Sequence, residues 1–218
     1  MSVNYAGAAE RLIVLVRNGT GVDLLLVDPN AKGITLTHYL SQSGDPHYRV
    51  EFENVVVPTS ARIGAAGSGW ESFNKVMHEA IILLAAQAIG GSARCLEETV
   101  EYSKVRIQFD KPLGAFQALA HYMADASTRI DGGRVLVHEA AWNAAEGRSI
   151  ARLAPMAKLF ACNTYQQSTR MCAQVWGGVA FTIEYDVQMF FRRAKEMQLS
   201  WWDRPYLEEL IAADVLDD

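Results

Sequence analysis

The sequence predicts a mainly α-helical protein, in which a partial antiparallel β-region precedes an antiparallel bundle of four to five helices. Two observations predict this class. Up to about Val57 the chain carries short runs of branched residues separated by turn residues, a pattern typical of strands. After Pro58 apolar residues recur at helical spacing over long segments with short breaks, which favours an antiparallel bundle. The predicted boundary divides residues 1–63, the partial β-region, from residues 64–218, the helical bundle.

Four strands are predicted in the first region. They cover residues 11–17, 22–28, 34–40 and 48–57. The dipeptide Asn18-Gly19 between the first two is the strongest short signal for a hairpin turn. Four short strands are too few for a closed β domain, so we predict that this region is only part of one.

Five helices are predicted after the glycine-rich segment Gly64–Gly69, which we interpret as a hinge. They cover residues 70–107, 112–145, 151–175, 183–197 and 205–213. Pro112 stands at the first helical position, which proline prefers, and it therefore predicts the start of the second helix.

Bulk properties exclude some classes of function. A net charge of −5 lacks the basic excess of a nucleic-acid-binding surface. The longest uncharged run, Ala80–Ala93, is shorter than the ~20 residues that span a membrane, so it predicts a buried helix. No signal pattern stands at the N-terminus. Cys95, Cys162 and Cys172 lie in apolar surroundings without a CxxC pattern, as expected for reduced core residues of a cytoplasmic protein.

No metal site is expected. The dipeptides His78-Glu79 and His138-Glu139 each begin like the zinc motif HExxH. The places of the second histidine hold Ile82 and Trp142, which cannot bind zinc.

The first candidate ligand site lies at a predicted helix junction. Arg106, Phe109 and Phe116 converge there, and a guanidinium fork with two aromatic rings could clamp a diphosphate and stack on a ring. Residues at this spacing more often have a structural role, with the arginine paired with a carboxylate and the phenylalanines in the core. That alternative stays open.

The second candidate site lies at the end of the third predicted helix. Gly177 and Gly178 allow a left-handed turn and a close approach of ligand to backbone. Gln174, one turn earlier, offers both a donor and an acceptor beside that approach.

Together the two sites resemble the C-terminal part of the acyl-CoA dehydrogenases. Tyr102 to Gln117 matches the family pattern Tyr-x-x-x-Arg-x-x-Phe-x-x-Pro-(Leu/Ile)-x-x-(Phe/His)-Gln. Gln174 to Phe181 matches Gln-x-x-Gly-Gly-x-Gly-(Phe/Tyr), with Ala180 in place of the third glycine. The strands resemble the end of the family's middle β-domain, so the resemblance covers essentially the whole chain.

This resemblance implies an FAD enzyme that oxidises an acyl-CoA thioester to its α,β-enoyl form, with electron-transfer flavoprotein as a partner. It also implies a homo- or hetero-oligomer, a dimer or tetramer, with FAD bound at a subunit interface. The residues implied to contact FAD are Arg106, Gln108, Phe109, Leu113, Phe116, Gln117, Gln174, Gly177 and Gly178.

The sequence departs from the family at the catalytic base. Most members carry a glutamate at the place of Trp201, and some carry it on the first long helix at the place of Ala80. Glu79 is the neighbouring carboxylate, but one residue is a rotation of about 100° on a helix, so we predict that it points aside. The chemistry needs a base because an α-proton is removed while hydride leaves the β-carbon.

Two other interpretations stay open. The chain could be a non-catalytic structural subunit that supports FAD in a heteromeric acyl-CoA dehydrogenase. It could also be a flavin monooxygenase or nitroalkane oxidase on the same fold. The tail SWWDRPYLEELIA resembles those of members that act on bulky acyl-CoAs such as steroid side chains.

Overall fold

The computed structural model describes residues 2–19 and 21–216. The protein is mainly helical with a small antiparallel β-region, so the predicted fold class is confirmed. Two compact units are present, the first ending at Met77 and the second beginning at His78. The predicted domain boundary between residues 63 and 64 stays a prediction.

The first unit contains six strands in two antiparallel sheets. The strands are β1 (Ser2–Asn4), β2 (Leu12–Asn18), β3 (Gly21–Val27), β4 (Ile34–Leu40), β5 (Pro46–Phe52) and β6 (Arg62–Ile63). Each sheet has three strands, in the orders β1-β5-β4 and β2-β3-β6. The buried side chains of Ala6, Leu12 and Val50 form the centre of an apolar cluster in this unit.

Two details of the strand prediction are wrong. β5 ends at Phe52 rather than at residue 57, because Asn54 adopts a left-handed conformation (φ 50°) that no strand continues through. The β2–β3 hairpin forms, but Asn18 is a strand residue paired with Gly21. The chain therefore leaves β2 one residue later than the Asn18-Gly19 signal predicts, and Thr20 lies outside the described residues.

The glycine-rich segment that we interpreted as a hinge is held against β3. The backbone N–H of Gly67 donates a 2.8 Å hydrogen bond to the carboxylate of Asp23, and this bond lowers the pKa of Asp23. A Cβ on Gly69 would lie 2.5 Å from backbone atoms of Asp23 and Leu24. Glycine is thus required here for close packing, and the hinge interpretation does not fit these contacts.

The second unit is a helical bundle. Its helices are α1 (Gly69–Val105), α2 (Gln117–Ala145), α3 (Leu153–Trp176), α4 (Val187–Leu199) and α5 (Arg204–Leu216), with the first turns of α1 belonging to the first unit. α3 has the highest share of buried positions, 13 of its 24 residues, and it packs against α2, α4 and α5. It therefore forms the centre of the bundle.

Small residues let α1 and α3 approach each other closely. The contacts on α1 come from three residues one turn apart, Gly91, Cys95 and Thr99. Their counterparts on α3 are Tyr165, Cys172 and Trp176, in the same chain order, so the two helices run parallel. All three cysteines are buried and free, as the sequence predicts.

Within the described residues, α1 is also the one helix long and apolar enough to cross a membrane by length and composition. Half of its most apolar 18-residue window is buried, and buried core helices meet the same criterion. The expectation that the chain has no membrane span stays a prediction.

Candidate cofactor site

The segment after α1 is a tight hairpin. Strand β7 (Ile107–Gln108) pairs with strand β8 (Lys111–Pro112). The two residues between them, Phe109 and Asp110, have φ values of 53° and 63°. Two consecutive left-handed residues define a type I′ turn, the turn whose twist matches a two-residue hairpin.

The prediction that Pro112 begins the next helix is therefore wrong. Leu113–Ala115 forms a short 3₁₀ turn, and α2 begins at Gln117. Pro112 can occupy β8 because a proline tolerates an edge position where no backbone N–H is needed. Leu113 and Phe116 thus precede α2.

The hairpin turn presents Phe109 to solvent, with 88% of its surface exposed. Its ring meets the Phe116 ring edge-on at 6.3 Å between centroids, and the Lys111 ammonium lies 4.2 Å from the centre of the Phe116 ring. A large apolar ring at a strained turn position is costly in water. Phe109 is thus not the core residue that the alternative interpretation required.

Arg106 has a fixed backbone and an exposed side chain. Its N–H donates to the Tyr102 carbonyl at 2.9 Å, and its carbonyl accepts from the Leu113 N–H at 2.9 Å. The described residues provide it with no ion pair, so its guanidinium does not have the carboxylate partner of the alternative interpretation. The fork is thus available to an anion from outside the chain. Gln108 and Gln117 are also exposed.

The second motif has an open backbone. α3 ends at Trp176, and Gly177 adopts φ 69°, a conformation that favours glycine. Gly178 has no positive φ, and a Cβ added to it would meet nothing within 4 Å. Neither its conformation nor packing among the described residues requires glycine at position 178.

Ring stacking joins the two motifs. Tyr102 of the first motif lies parallel to Trp176 of the second, with 4.0 Å between ring centroids and 8° between planes. Trp176 also donates from Nε1 to the Thr99 hydroxyl at 3.0 Å and contacts the Tyr185 ring. Arg106 follows Tyr102 by one turn and Gly177 follows Trp176 directly. The start of the first motif and the middle of the second therefore lie side by side, although Gln117 and Gln174 are 57 residues apart in the sequence.

A surface cavity of about 390 Å³ opens at the second motif. It is lined by Arg170, Ala173, Gln174, Gly177, Phe181 and Phe191. Arg170 was not predicted, although it stands one turn before Gln174 and so on the same face of α3. The cavity thus has one cation, Arg170, among its lining residues. Three residues after Phe181, a hydrogen bond with the Thr182 hydroxyl lowers the pKa of Glu184.

The two segments that carry the possible base positions, Ala80 and Trp201, contact each other through neighbouring residues. Trp202 packs edge-on against His78 on α1, with 4.9 Å between ring centroids. His78 is buried, whereas Glu79 is exposed. Trp201 is half exposed and has φ 52°. The segment around Trp201 is also bonded to Lys158 of α3, a contact that the sequence did not reveal.

Comparison with known proteins identifies similar chains over most of this length. The family model for "Acyl-CoA dehydrogenase, C-terminal domain" matches residues 67–200. The mitochondrial short/branched chain specific acyl-CoA dehydrogenase of Rattus norvegicus is 33% identical over 80% of this chain and 41% of its own length. Acyl-CoA dehydrogenase IpdE2 of Mycolicibacterium smegmatis is 32% identical over 82% of this chain and 54% of its own. The chain thus spans about half the length of these relatives.

Solved structures share the fold. Butyryl-CoA dehydrogenase from Megasphaera elsdenii superimposes with a TM-score of 0.93 at 27% identity, covering 99% of this chain and 59% of that one. PigA, solved with FAD and proline, superimposes with a TM-score of 0.92 at 26% identity, covering 97% and 57%. Both motifs and the segment around Trp201 therefore lie on a scaffold that those proteins also have.

Proposed function

Because the chain belongs to the acyl-CoA dehydrogenase family, we propose that its helical unit binds FAD at a subunit interface and serves the α,β-dehydrogenation of an acyl-CoA thioester. The observation that supports this proposal most directly is the presence of glycine at position 178. A glycine that neither conformation nor internal packing requires, beside an exposed arginine and a cavity, is best explained by a ligand that approaches the backbone there.

The residues around Gly178 fit the chemistry of a dinucleotide cofactor. Arg106 and Arg170 supply guanidinium groups suited to a diphosphate, and Gln174 supplies a donor and an acceptor. The exposed rings of Phe109 and Phe181 offer apolar surface for a ring system. When bound, FAD would supply the hydride acceptor for the oxidation.

A subunit interface at this end of the bundle is supported by the exposed apolar residues. Those in or next to the two motifs are Val105, Ile107, Phe109, Phe181 and Ile183. Several large apolar side chains exposed in and next to two motifs are unusual for an uncovered surface and indicate a partner. We infer a homo- or hetero-oligomer that works in the cytoplasm with electron-transfer flavoprotein as electron acceptor.

A second candidate function is favoured by the base position. Trp201 has no group that can accept a proton, and Glu79 is exposed beside the buried His78. In this second proposal the chain is a non-catalytic subunit, and its two motifs hold FAD for a partner that supplies the base. The same FAD site serves both proposals.

Substitution of Gly178 tests the FAD site. Gly178→Ala and Gly178→Val place methyl groups in open space, so the fold should tolerate both changes. If FAD approaches this backbone, Gly178→Val should weaken its binding by about 1–3 kcal/mol, the usual cost of overpacking, and Gly178→Ala by less. The measurement is FAD titration followed by quenching of flavin fluorescence.

Gly90→Ala is the matched control. Gly90 also has open space around its Cβ position, but it lies within α1, away from the two motifs in sequence. The Gly90→Ala variant should bind FAD with the same affinity as the parent chain. Unchanged FAD affinity in Gly178→Val, or no FAD binding by the parent chain, would contradict the proposed site.

A further inference from the structure

A lysine is completely buried at the centre of the bundle. Lys158 lies on α3 with 0% of its surface exposed, among the buried neighbours Ala154, Ala157, Ala161 and Cys162. A buried ammonium is costly unless hydrogen bonds compensate for its lost hydration. Lys158 donates from Nζ to the Ser200 carbonyl at 2.7 Å and to the Trp202 carbonyl. The buried ammonium therefore binds a segment that lies 42–44 residues later in the chain.

The bonded carbonyls follow the C-terminus of α4. The last carbonyls of a helix lack intrahelical partners and carry the negative end of the helix dipole. Ser200 caps that end of α4, so an ammonium bonded to its carbonyl is favourable on both counts. Burial lowers the pKa of Lys158, and the negative charge of Asp203 opposes this shift.

The residue between the two bonded carbonyls is Trp201. Its φ of 52° is unusual for a bulky side chain and costs on the order of 1–3 kcal/mol. Such a conformation persists only where the surroundings impose it. Lys158 holds the backbone on both sides of this residue.

Neighbouring contacts continue the same pattern. One and two turns after Lys158 on α3, Cys162 donates to the Met197 carbonyl at 3.6 Å and Gln166 donates to the Gln198 side chain at 2.6 Å. Beyond Trp201, the Trp202 ring packs between His78 and Tyr206. One face of α3 thus fixes the last turn of α4 and the segment that follows it.

We propose that Lys158 is a positioning residue that sets the backbone of Ser200–Trp202, and with it the direction of the side chain at position 201. The role rests on the proposed function, in which position 201 faces the reaction. Lys158 touches neither substrate nor cofactor in this role. It acts through the two carbonyls that it binds, whatever side chain position 201 carries.

Hydrogen exchange of the 218-residue chain without FAD tests the proposal independently of cofactor binding. Lys158→Met keeps the length of the side chain but removes the ammonium. Amide exchange should accelerate by about tenfold or more in peptides covering residues 198–207, the factor expected for losing a hydrogen bond to a charged group. Peptides from α2 should keep their parent exchange rates. Acrylamide quenching of tryptophan fluorescence should rise as well.

Thr169→Val is the matched control. Thr169 is also fully buried on α3, but its hydroxyl bonds only to carbonyls of its own helix. This change should leave residues 198–207 as protected as in the parent. Lys158→Gln keeps two N–H donors without the charge and should give intermediate protection, which provides a second variant if Lys158→Met does not fold.

Two results would overturn the proposal. One is parent-like exchange at residues 198–207 in Lys158→Met, or in Lys158→Gln if only that variant folds. The other is exchange that rises equally in α2 and in residues 198–207, which would mean that Lys158 only stabilises the bundle. A failure of FAD binding would contradict the proposed function and leave this exchange pattern unaffected.

Discussion

Arg106 combines a backbone held on both sides with a guanidinium that faces solvent. A side chain that contributed only to folding would pack or pair within its own chain. An exposed fork on a fixed backbone is instead available to an anionic ligand, because the backbone is already ordered and only the side chain has entropy to lose on binding.

We expect Arg106→Ala to weaken FAD binding by ~1.5–3 kcal/mol, the range for a hydrogen bond to a charged group. Arg106→Lys should recover only part of this loss, because an ammonium lacks the planar fork. Equilibrium dialysis of FAD measures both. Arg134→Ala, which removes an exposed guanidinium paired with Asp131 on α2, is the control and should bind FAD normally. Parent-like affinity in both Arg106 variants would show that Arg106 does not contact the cofactor.

At the scale of elements, the parallel contact between α1 and α3 depends on a glycine. A Cβ on Gly91 would lie 2.6 Å from the ring of Tyr165, which is buried and cannot easily move aside. The adjacent Gly90 has nothing within 4 Å of its Cβ position. Two neighbouring glycines of one helix therefore have opposite requirements.

We expect Gly91→Ala to lower the free energy of unfolding by about 1–3 kcal/mol, because overpacking exceeds the gain in helix propensity. Gly90→Ala should raise it by up to about 1 kcal/mol, because alanine favours the helix and no contact is disturbed. Urea unfolding followed by circular dichroism compares the two variants. Equal effects of the same sign would mean that α1 and α3 do not approach as closely as described.

Most elements could be predicted from the sequence because long helices have a clear apolar period. The start of α2 could not. Phe109 and Asp110 form a left-handed hairpin turn without glycine or asparagine, so local preference gave no sign of it. Pro112 gave a misleading sign, since an edge strand suits proline as well as a helix start does.

The candidate site was predictable at its two motifs and not at the contacts that join them. The stacking of Tyr102 on Trp176 depends on the packing of α1 against α3, which no local pattern encodes. Lys158 was missed because a single lysine in an apolar helix ordinarily lies at the surface. Only its burial reveals a link to the segment around Trp201.

At the scale of the whole molecule, the chain combines the proposed FAD site with a tryptophan, Trp201, at the place where the family resemblance implies a base. We expect the chain alone not to dehydrogenate acyl-CoA at a useful rate, because removing a general base typically costs about 10²–10⁴-fold. Anaerobic bleaching of bound flavin by short, branched, long and steroid-like acyl-CoAs measures this activity.

Glu79→Gln is the companion variant for that assay. It should behave like the parent chain, because Glu79 is exposed and stands one residue before Ala80, the alternative place of the base. Fast bleaching by the parent would contradict the expected inactivity. Bleaching by the parent that is lost in Glu79→Gln would identify Glu79 as the base.

All three cysteines of the chain lie buried in the helical unit, and the first unit has none. Burial raises the pKa of Cys162 to about 11, so its thiol is almost entirely protonated and unreactive near neutral pH. A thiol reagent can then modify the native chain only when the bundle opens. The rate of modification under native conditions consequently measures how often the bundle opens. Mass spectrometry can follow it on these cysteines without an engineered label.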